Sequence, residues 1–93
     1  MVKDIFLLGS TGSIGQTVLN ILKRDTKNFQ VKLLTTNSNI KKIYEQAIYF
    51  NVKEIVIFDK NEYLKNYNKF KLKNIKVYQS INDLCKKKKK NHI

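Results

Sequence analysis

The sequence contains no proline, no tryptophan and only one cysteine, Cys85. A single cysteine excludes an intramolecular disulfide and is typical of a protein kept in a reducing compartment. No apolar run approaches the roughly 20 residues that a membrane-spanning helix needs. The apolar run that follows Lys3 and Asp4 is also too short for a signal peptide. These absences predict a cytoplasmic protein with no targeting segment and no membrane partner.

Acidic residues are scarce as well. Seven Asp and Glu residues stand against 19 Lys and Arg residues, which gives a formal net charge of +12. The acidic residues are scattered and form no Asp-x-Glu pair, so the sequence offers no converging oxygen ligands for a hard cation.

The positive charge raises nucleic acid as a partner. However, Lys, Asn, Ile, Tyr and Phe, whose codons are all rich in A and T, make up 50 of the 93 residues. Genome composition therefore accounts for the charge without selection for a polyanion. A basic nucleic-acid-binding protein is kept as an alternative, although the chain has no recognised nucleic-acid-binding motif.

The three glycines of the chain, Gly9, Gly12 and Gly15, all lie in one stretch, "GSTGSIG". They follow a continuous apolar run, Ile5 to Leu8, whose length suits a strand buried on both faces. They precede apolar residues at helical spacing, from Ile14 to Leu22. A strand, a glycine loop and a helix in this order direct backbone N–H groups at one point, which makes an anion site. We predict that the anion is the pyrophosphate of a dinucleotide.

The spacing of the glycines leaves one alternative open. It is G-x-x-G-x-x-G and not the commoner G-x-G-x-x-G, so the stretch could be a tight strand-to-helix turn with no ligand. Ser10, Thr11 and Ser13 favour the ligand, because small hydroxyl side chains supply additional donors for phosphate oxygens.

Strands and helices alternate along the rest of the chain. An amphipathic helix follows Asn39, the segment 60–74 suggests a short helix or turn, and Ser80 with Asp83 resembles a capping box that opens a last helix. Further strands are predicted at Phe29 to Thr35, Glu54 to Phe58 and Ile75 to Gln79. This alternation predicts an α/β fold with a Rossmann-like, doubly wound parallel sheet of about four strands in the order 3-2-1-4, which binds ligands at its C-terminal edge.

The residues after the second predicted strand indicate which dinucleotide binds. In folds of this class, a carboxylate about twenty residues past the glycines binds the ribose 2′-hydroxyl of NAD. The corresponding stretch here, Thr35 to Asn39, contains no carboxylate, and Lys41 and Lys42 lie just beyond it. A carboxylate would repel a 2′-phosphate, whereas hydroxyls and amides accept one, so this stretch favours NADP(H) over NAD(H). The alternative is that these polar residues only cap the following helix.

The stretch "LGSTGSIG" resembles the N-terminal motif of the 1-deoxy-D-xylulose-5-phosphate reductoisomerase family, NADPH-dependent oxidoreductases of non-mevalonate isoprenoid biosynthesis. "FQVKLLTTNSNI" and "EQAIYFNVKEIVIFD" resemble the elements that follow in that family, so the resemblance covers residues 3 to 80. It implies binding of NADPH, a small phosphorylated sugar as substrate, a divalent metal (Mg or Mn) and a homodimer. The cofactor contacts that the resemblance implies fall on Thr11, Gly12, Ser13, Ile14, Asn37, Ser38 and Asn39.

The chain departs from the family pattern in two places. The family usually has glycine where Asn37 stands, and often a basic residue or serine where Ser38 stands. Asparagine tolerates positive φ better than most residues, so we expect the turn to be kept. The second departure is the end of the chain, because the family's metal carboxylates, substrate-phosphate site and flap lie further on. We therefore expect no catalytic residue, no metal ligand and no turnover from this chain alone.

Where the family enters its next strand, the chain has "KKKKKNHI". A lysine run implies an adenine-rich stretch in which a reading frame can slip, so we expect a truncated or frameshifted product, or an N-terminal piece of a longer enzyme. We assign residues 1–85 to one incomplete NADPH-binding Rossmann-like domain and residues 86–93 to a disordered, lysine-rich tail. Another G-x-T-G-x-x-G NADP reductase, such as a semialdehyde dehydrogenase, is the alternative within enzymes; it would need Cys85 as a nucleophile.

Overall fold

The computed structural model describes the backbone of residues 2–90 and the side chains of residues 2–86. The elements are β1 (Lys3–Leu7), α1 (Ser13–Leu22), β2 (Phe29–Thr36), α2 (Ile40–Tyr49), β3 (Glu54–Ile57), α3 (Lys60–Lys71), β4 (Lys76–Tyr78) and α4 (Ile81–Lys90). All four predicted strands are confirmed, with ends that shift by at most two residues.

The strands form one parallel sheet in the order β1-β2-β3-β4. The predicted order 3-2-1-4 is wrong, because β4 pairs with β3, where Tyr78 lies opposite Val56, and not with β1. The physical reason is the packing of α3, whose fully buried Phe70 joins the same core cluster as α1 and α2. The chain therefore crosses the same face of the sheet again and moves one strand further in the same direction. Within the described chain, β1 stays at an edge.

The helices cover both faces of the sheet, which confirms the doubly wound α/β class. On one face, α1, α2 and α3 pack on a core that includes Leu34, Ile43 and Ile55, all fully buried. On the other face, Leu84 of α4 packs in a smaller cluster that lies over β2, β3 and β4. Phe6 of β1 lies outside that cluster and is 58% exposed.

Three helices begin at a capping side chain. Each cap accepts a hydrogen bond from the backbone N–H three residues further on, at 3.2 Å for Asn39, 3.0 Å for Asp59 and 3.1 Å for Ser80. The caps predicted at Asn39 and Ser80 are thereby confirmed. The sequence alone does not decide whether segment 60–74 is a short helix or a turn. The Asp59 cap and the buried Phe70 explain why it forms the three-turn helix α3.

A side-chain hydrogen bond joins β4 to β3, in addition to the backbone hydrogen bonds of the sheet. The hydroxyl of Tyr78 donates to Oε2 of Glu54 at 3.2 Å. Burial, reinforced by the Glu54 carboxylate, raises the pKa of Tyr78 above its ordinary value. Tyr78 therefore keeps its proton, and this hydrogen bond, throughout the neutral pH range.

The helix α4 continues through Lys90, whereas the sequence predicts a disordered tail from residue 86. Lysine is a good helix former, and each like-charge pair at i, i+4 costs only a few tenths of a kcal/mol, so the lysine run does not prevent a helix. Residues 91–93 of the predicted tail lie outside the described residues, and the division into a domain and a tail stays a prediction. Neither α4 nor any other helix between residues 2 and 90 is long and apolar enough to cross a membrane.

Candidate functional site

The glycine loop, residues 8–12, connects β1 to α1 and is fixed on the end of β2. Gly9 has a φ of +69°, a conformation that residues with a side chain rarely adopt. Its backbone N–H donates to Thr35 Oγ1 at 2.7 Å, and the N–H of Ser10 donates to the Thr35 carbonyl oxygen at 2.9 Å. The loop therefore lies against the carboxyl end of the neighbouring strand, in one defined conformation.

The three hydroxyl side chains of this region differ in what they contact. Ser10 is fully buried and its Oγ donates to the Thr35 carbonyl oxygen at 3.3 Å. Its hydroxyl is thus used within the fold, contrary to the prediction that it faces a phosphate. Thr11 is half-buried, with its Oγ1 2.7 Å from Oγ1 of Thr36, and Ser13 is exposed as the first residue of α1. Of the three residues, Ser13 is exposed and Thr11 is half-buried, with its hydroxyl paired to that of Thr36.

The N-terminus of α1 is open to solvent. Its N-cap residue is Gly12, with φ −78° and ψ 175°, and no side chain of the described residues caps this helix. Gly12, Ser13 and Ile14 are all exposed, Ile14 by 81%. The first-turn N–H groups of an α-helix have no partner within the helix and form the positive end of its dipole. This end of α1 can therefore hold an anion.

The second predicted set, Asn37, Ser38 and Asn39, forms an exposed turn between β2 and α2. Its backbone is held in place, since the Asn37 carbonyl oxygen accepts from the N–H of Asp59 at 2.9 Å and the N–H of Asn39 donates to Thr36 Oγ1 at 3.3 Å. The Asn39 side chain caps α2, which is the alternative role that the sequence leaves open for this stretch. The side chains of Asn37 and Ser38 lie at the surface.

The structure brings the two predicted sets together at the carboxyl edge of the sheet. β1 and β2 are neighbours, with Leu7 opposite Leu34. The contact between Thr11 and Thr36 joins the loop to the last residue of β2, directly before the turn. An extended ligand that lies along this edge can therefore contact the open end of α1 and the turn after β2 at once. This is the location at which parallel α/β sheets bind their ligands.

Four residues that support this geometry are absent from the sequence-based prediction. Thr35 and Thr36 are 0% and 2% exposed and anchor the glycine loop. Gln16 Nε2 donates to the Thr11 carbonyl oxygen at 2.8 Å, and Gln46 Nε2 donates to the Ser10 carbonyl oxygen at 2.9 Å. The sequence offers one weak signal for Gln46, because helical spacing places it at the border of the apolar face of α2, three residues from Ile43.

The described residues do not form a cluster of side chains that could bind a metal ion. Among the described residues, no group of three or more His, Cys, Asp or Glu side chains is placed to hold a metal ion. The chemistry available at the edge of the sheet is that of backbone N–H groups, hydroxyls and amides, which bind and orient a ligand. The arrangement thus fits an anionic ligand rather than a hydrated cation.

Comparison with known proteins identifies relatives over nearly the whole chain. The family model described as 1-deoxy-D-xylulose 5-phosphate reductoisomerase matches residues 5–93. The protein of that name from Pelagibacter ubique (strain HTCC1062) is 42% identical over 85 residues, which are 91% of this chain and 22% of the relative. The protein from Ehrlichia canis (strain Jake) is 37% identical over 76 residues, 82% of this chain and 20% of the relative. The chain thus spans about a fifth of the length of these relatives.

Solved structures of similar fold also include reductoisomerases. The 1-deoxy-D-xylulose 5-phosphate reductoisomerase of Zymomonas mobilis in complex with NADPH superposes with a TM-score of 0.77 at 29% identity, over 84% of this chain and 21% of that one. A DOX-P reductoisomerase in complex with magnesium gives a TM-score of 0.68 at 23% identity, over 84% of this chain and 20% of that one. The second similarity supports the fold alone.

Proposed function

Because the chain belongs to the 1-deoxy-D-xylulose 5-phosphate reductoisomerase family, we propose that it is the NADPH-binding part of such an enzyme. The observation that carries this proposal is the open N-terminus of α1, which the contact between Thr11 and Thr36 places beside the turn after β2. The Zymomonas mobilis relative, 29% identical, was solved with NADPH. The cofactor-binding residues that we propose are Thr11, Gly12, Ser13, Ile14, Asn37, Ser38 and Asn39.

Each group of residues has a separate role in the proposal. The first-turn N–H groups of Ser13 and Ile14, with the hydroxyl of Thr11, bind the pyrophosphate, which is the anion that this helix end favours. Gly12 leaves room for the close approach of the pyrophosphate. The exposed side chain of Ile14 offers an apolar surface beside it, where burial against the cofactor removes the side chain from water.

The turn after β2 supplies the preference for NADPH. Asn37 and Ser38 are exposed and uncharged, and they present an amide and a hydroxyl to a ribose 2′-phosphate. Asn39 contributes through its backbone, because its side chain already caps α2. Lys41 is exposed at the start of α2, close enough in sequence to add positive charge at this end of the site.

The first prediction tests this preference by isothermal titration calorimetry of the purified chain with NADPH and NADH. A hydrogen bond to a charged group contributes about 1.5–3 kcal/mol, so the Kd for NADPH is expected to be lower by about tenfold or more. Ser38→Asp should weaken binding of NADPH and should not weaken binding of NADH, because a carboxylate repels the 2′-phosphate but can accept a hydrogen bond from the 2′-hydroxyl of NADH. Equal affinities in the wild type, or stronger binding of NADH, would contradict the proposed role of the turn.

The proposal extends to the whole enzyme of which this chain would form the N-terminal part. That enzyme converts 1-deoxy-D-xylulose 5-phosphate to 2-C-methyl-D-erythritol 4-phosphate, acts as a homodimer in the cytoplasm and requires Mg or Mn. Since the described residues bring together no metal-ligating cluster, we place the ligands of the divalent metal outside them. The substrate-binding residues are placed there as well.

The second prediction concerns turnover. The purified 93-residue chain is expected to show no oxidation of NADPH with 1-deoxy-D-xylulose 5-phosphate, with or without Mg²⁺ or Mn²⁺. Hydride transfer requires the substrate to be held against the nicotinamide, and such orientation supplies a large share of the rate enhancement. The described residues contribute a cofactor site without a metal cluster. Metal-dependent oxidation of NADPH at 340 nm, in protein purified from a host that lacks its own enzyme, would refute this assignment of roles.

The alternatives that the sequence leaves open are not favoured. The family match covers residues 5–93, so the high positive charge needs no nucleic-acid partner to explain it. The thiol of Cys85 is exposed on α4, and α4 covers the face of the sheet opposite to α1. A nucleophilic cysteine of the kind that a semialdehyde dehydrogenase needs is therefore not placed at the glycine loop.

A further inference from the structure

We propose that Gln46 and Gln16 are positioning residues that set the shape of the phosphate-binding loop. Each donates its side-chain amide to a backbone carbonyl of the loop, Gln46 from α2 and Gln16 from α1. The two carbonyls belong to consecutive residues, Ser10 and Thr11. This inference rests on the proposed NADPH function and assigns a role at that site to residues that do not contact the cofactor.

The contact of Gln46 is the deeper of the two. Gln46 is 9% exposed and lies beside the buried Ile43, at the border of the buried face of α2 that faces α1. Its Nε2 lies 2.9 Å from the carbonyl oxygen of Ser10, which is fully buried and 36 residues away in sequence. The N–H and the Oγ of Ser10 both donate to Thr35. Gln46 therefore satisfies the remaining polar group of Ser10, its carbonyl oxygen.

The orientation of this carbonyl determines the direction of the next N–H. A trans peptide bond is planar and places its C=O and N–H on opposite sides. When Gln46 holds the Ser10 carbonyl toward α2, the N–H of Thr11 must point away from α2. Likewise, when Gln16 holds the Thr11 carbonyl, the N–H of Gly12 points the other way, and it donates to the Gly9 carbonyl oxygen at 3.1 Å. The two glutamines thus fix the two consecutive peptide planes between Ser10 and Gly12, just before α1.

The oxygen of the buried amide of Gln46 supports a role for the donor alone. Within residues 2–86, Oε1 of Gln46 is buried and has no hydrogen-bond partner. A buried polar atom without a partner is destabilising, so an apolar residue here would avoid that loss. The side chain is better explained by its Nε2, whose hydrogen bond holds the loop. Gln46 and Gln16 also line a cavity of about 310 Å³ between α1 and α2, which gives an unbranched replacement room to fit.

The test compares Gln46→Met and Gln16→Met, which keep the length of the side chain and remove the donor. Gln30→Met is the matched control, because Gln30 is exposed on β2 at the opposite end of the sheet from the glycine loop. Binding of NADPH is measured by calorimetry at a temperature at which circular dichroism shows every variant to be folded. We expect Kd to rise about tenfold for Gln46→Met and by a smaller factor for the half-buried Gln16, and to stay unchanged for Gln30→Met.

A second readout reports on the loop without the cofactor. In ¹⁵N-labelled protein, the amide signals of Thr11 and Gly12 are expected to shift, and their hydrogen exchange to accelerate, in Gln46→Met and Gln16→Met but not in Gln30→Met. Unchanged Kd values and unchanged amide signals in folded variants would overturn the inference. If Gln46→Met does not fold, Gln16→Met decides by the same two measurements. If the wild-type chain does not bind NADPH, the proposed function fails, and the amide signals still decide whether the glutamines hold the loop.

Discussion

Replacing Gly15 with alanine is expected to lower the free energy of unfolding by about 3 kcal/mol, although alanine is the better helix former. At an ordinary helix position, alanine in place of glycine stabilises by about 1 kcal/mol. At Gly15 the added Cβ would collide with the carbonyl oxygen of Gly9 and would lie 2.6 Å from Cα and 2.8 Å from the carbonyl carbon of Ser10. Overpacking of this kind costs about 1–3 kcal/mol and occasionally more.

The colliding atoms cannot move away easily, since all of them are backbone. The N–H of Ser10 is bound to Thr35 and its carbonyl oxygen to Gln46. A shift of Ser10 away from α1 would break both contacts. The collision therefore acts on the strand–loop–helix junction as a whole and not on one mobile side chain.

The measurement is thermal unfolding followed by circular dichroism. For a domain of this size, 1 kcal/mol corresponds to a change of about 4–8 °C in Tm, so Tm is expected to fall by about 12–24 °C. Gly12→Ala is the control, because a Cβ at Gly12 would meet only the Gly9 carbonyl oxygen, at an ordinary 3.5 Å. A Tm for Gly15→Ala within a few degrees of the wild type would show that the loop yields where we expect it to be rigid.

The secondary structure could be predicted because its signals are local. The apolar runs of the strands, the glycine loop and the caps at Asn39 and Ser80 each depend on residues a few positions apart. The strand order depends instead on which face of the sheet α3 covers. That face is decided by Phe70 packing against Tyr44, with ring centroids 5.4 Å apart, a contact between residues 26 positions apart that periodicity does not report.

The candidate site was predictable in its location and less so in its details. The glycine spacing and the polar stretch after β2 place it at the edge of the sheet, where Thr11 and Thr36 meet. The sequence assigns the Ser10 hydroxyl to the ligand, whereas the structure uses it in a contact with Thr35, 25 residues away. Asn37 was expected to need a tolerance for positive φ. Among the described residues other than glycine, only Asn51 and Asn74 have positive φ, so Asn37 fits its turn without strain.

The three glycines of the stretch "GSTGSIG" are therefore explained by three separate physical reasons. Gly9 adopts a left-handed conformation, and Gly15 allows α1 to approach the loop backbone. Gly12 has neither constraint, because its φ of −78° is open to any residue and its Cβ position is nearly free of protein atoms. The space in front of Gly12 is thus nearly free of protein atoms, and it is where we propose that the ligand binds.

Gly12→Val is accordingly expected to abolish binding of NADPH while the chain stays folded. The branched side chain would fill the space that we assign to the pyrophosphate, and displacement of that group removes several charge-assisted hydrogen bonds together, each worth about 1.5–3 kcal/mol. A loss of affinity of about 100-fold or more is expected. Valine is a poorer N-cap residue than glycine, so the free energy of unfolding should fall by only about 1 kcal/mol.

The measurements are calorimetric titration with NADPH and thermal unfolding of the same preparation. Asn20→Val is the matched control, because it places the same branched side chain at an exposed position of α1, two turns away from Gly12. The control should bind NADPH like the wild type. It would show that a loss of binding in Gly12→Val is caused by the position of the valine and not by the poor helix propensity of valine. Normal binding of NADPH by Gly12→Val would contradict the proposed location of the pyrophosphate at the end of α1. Loss of cooperative unfolding in Gly12→Val would instead mean that Gly12, like Gly15, is needed for the fold.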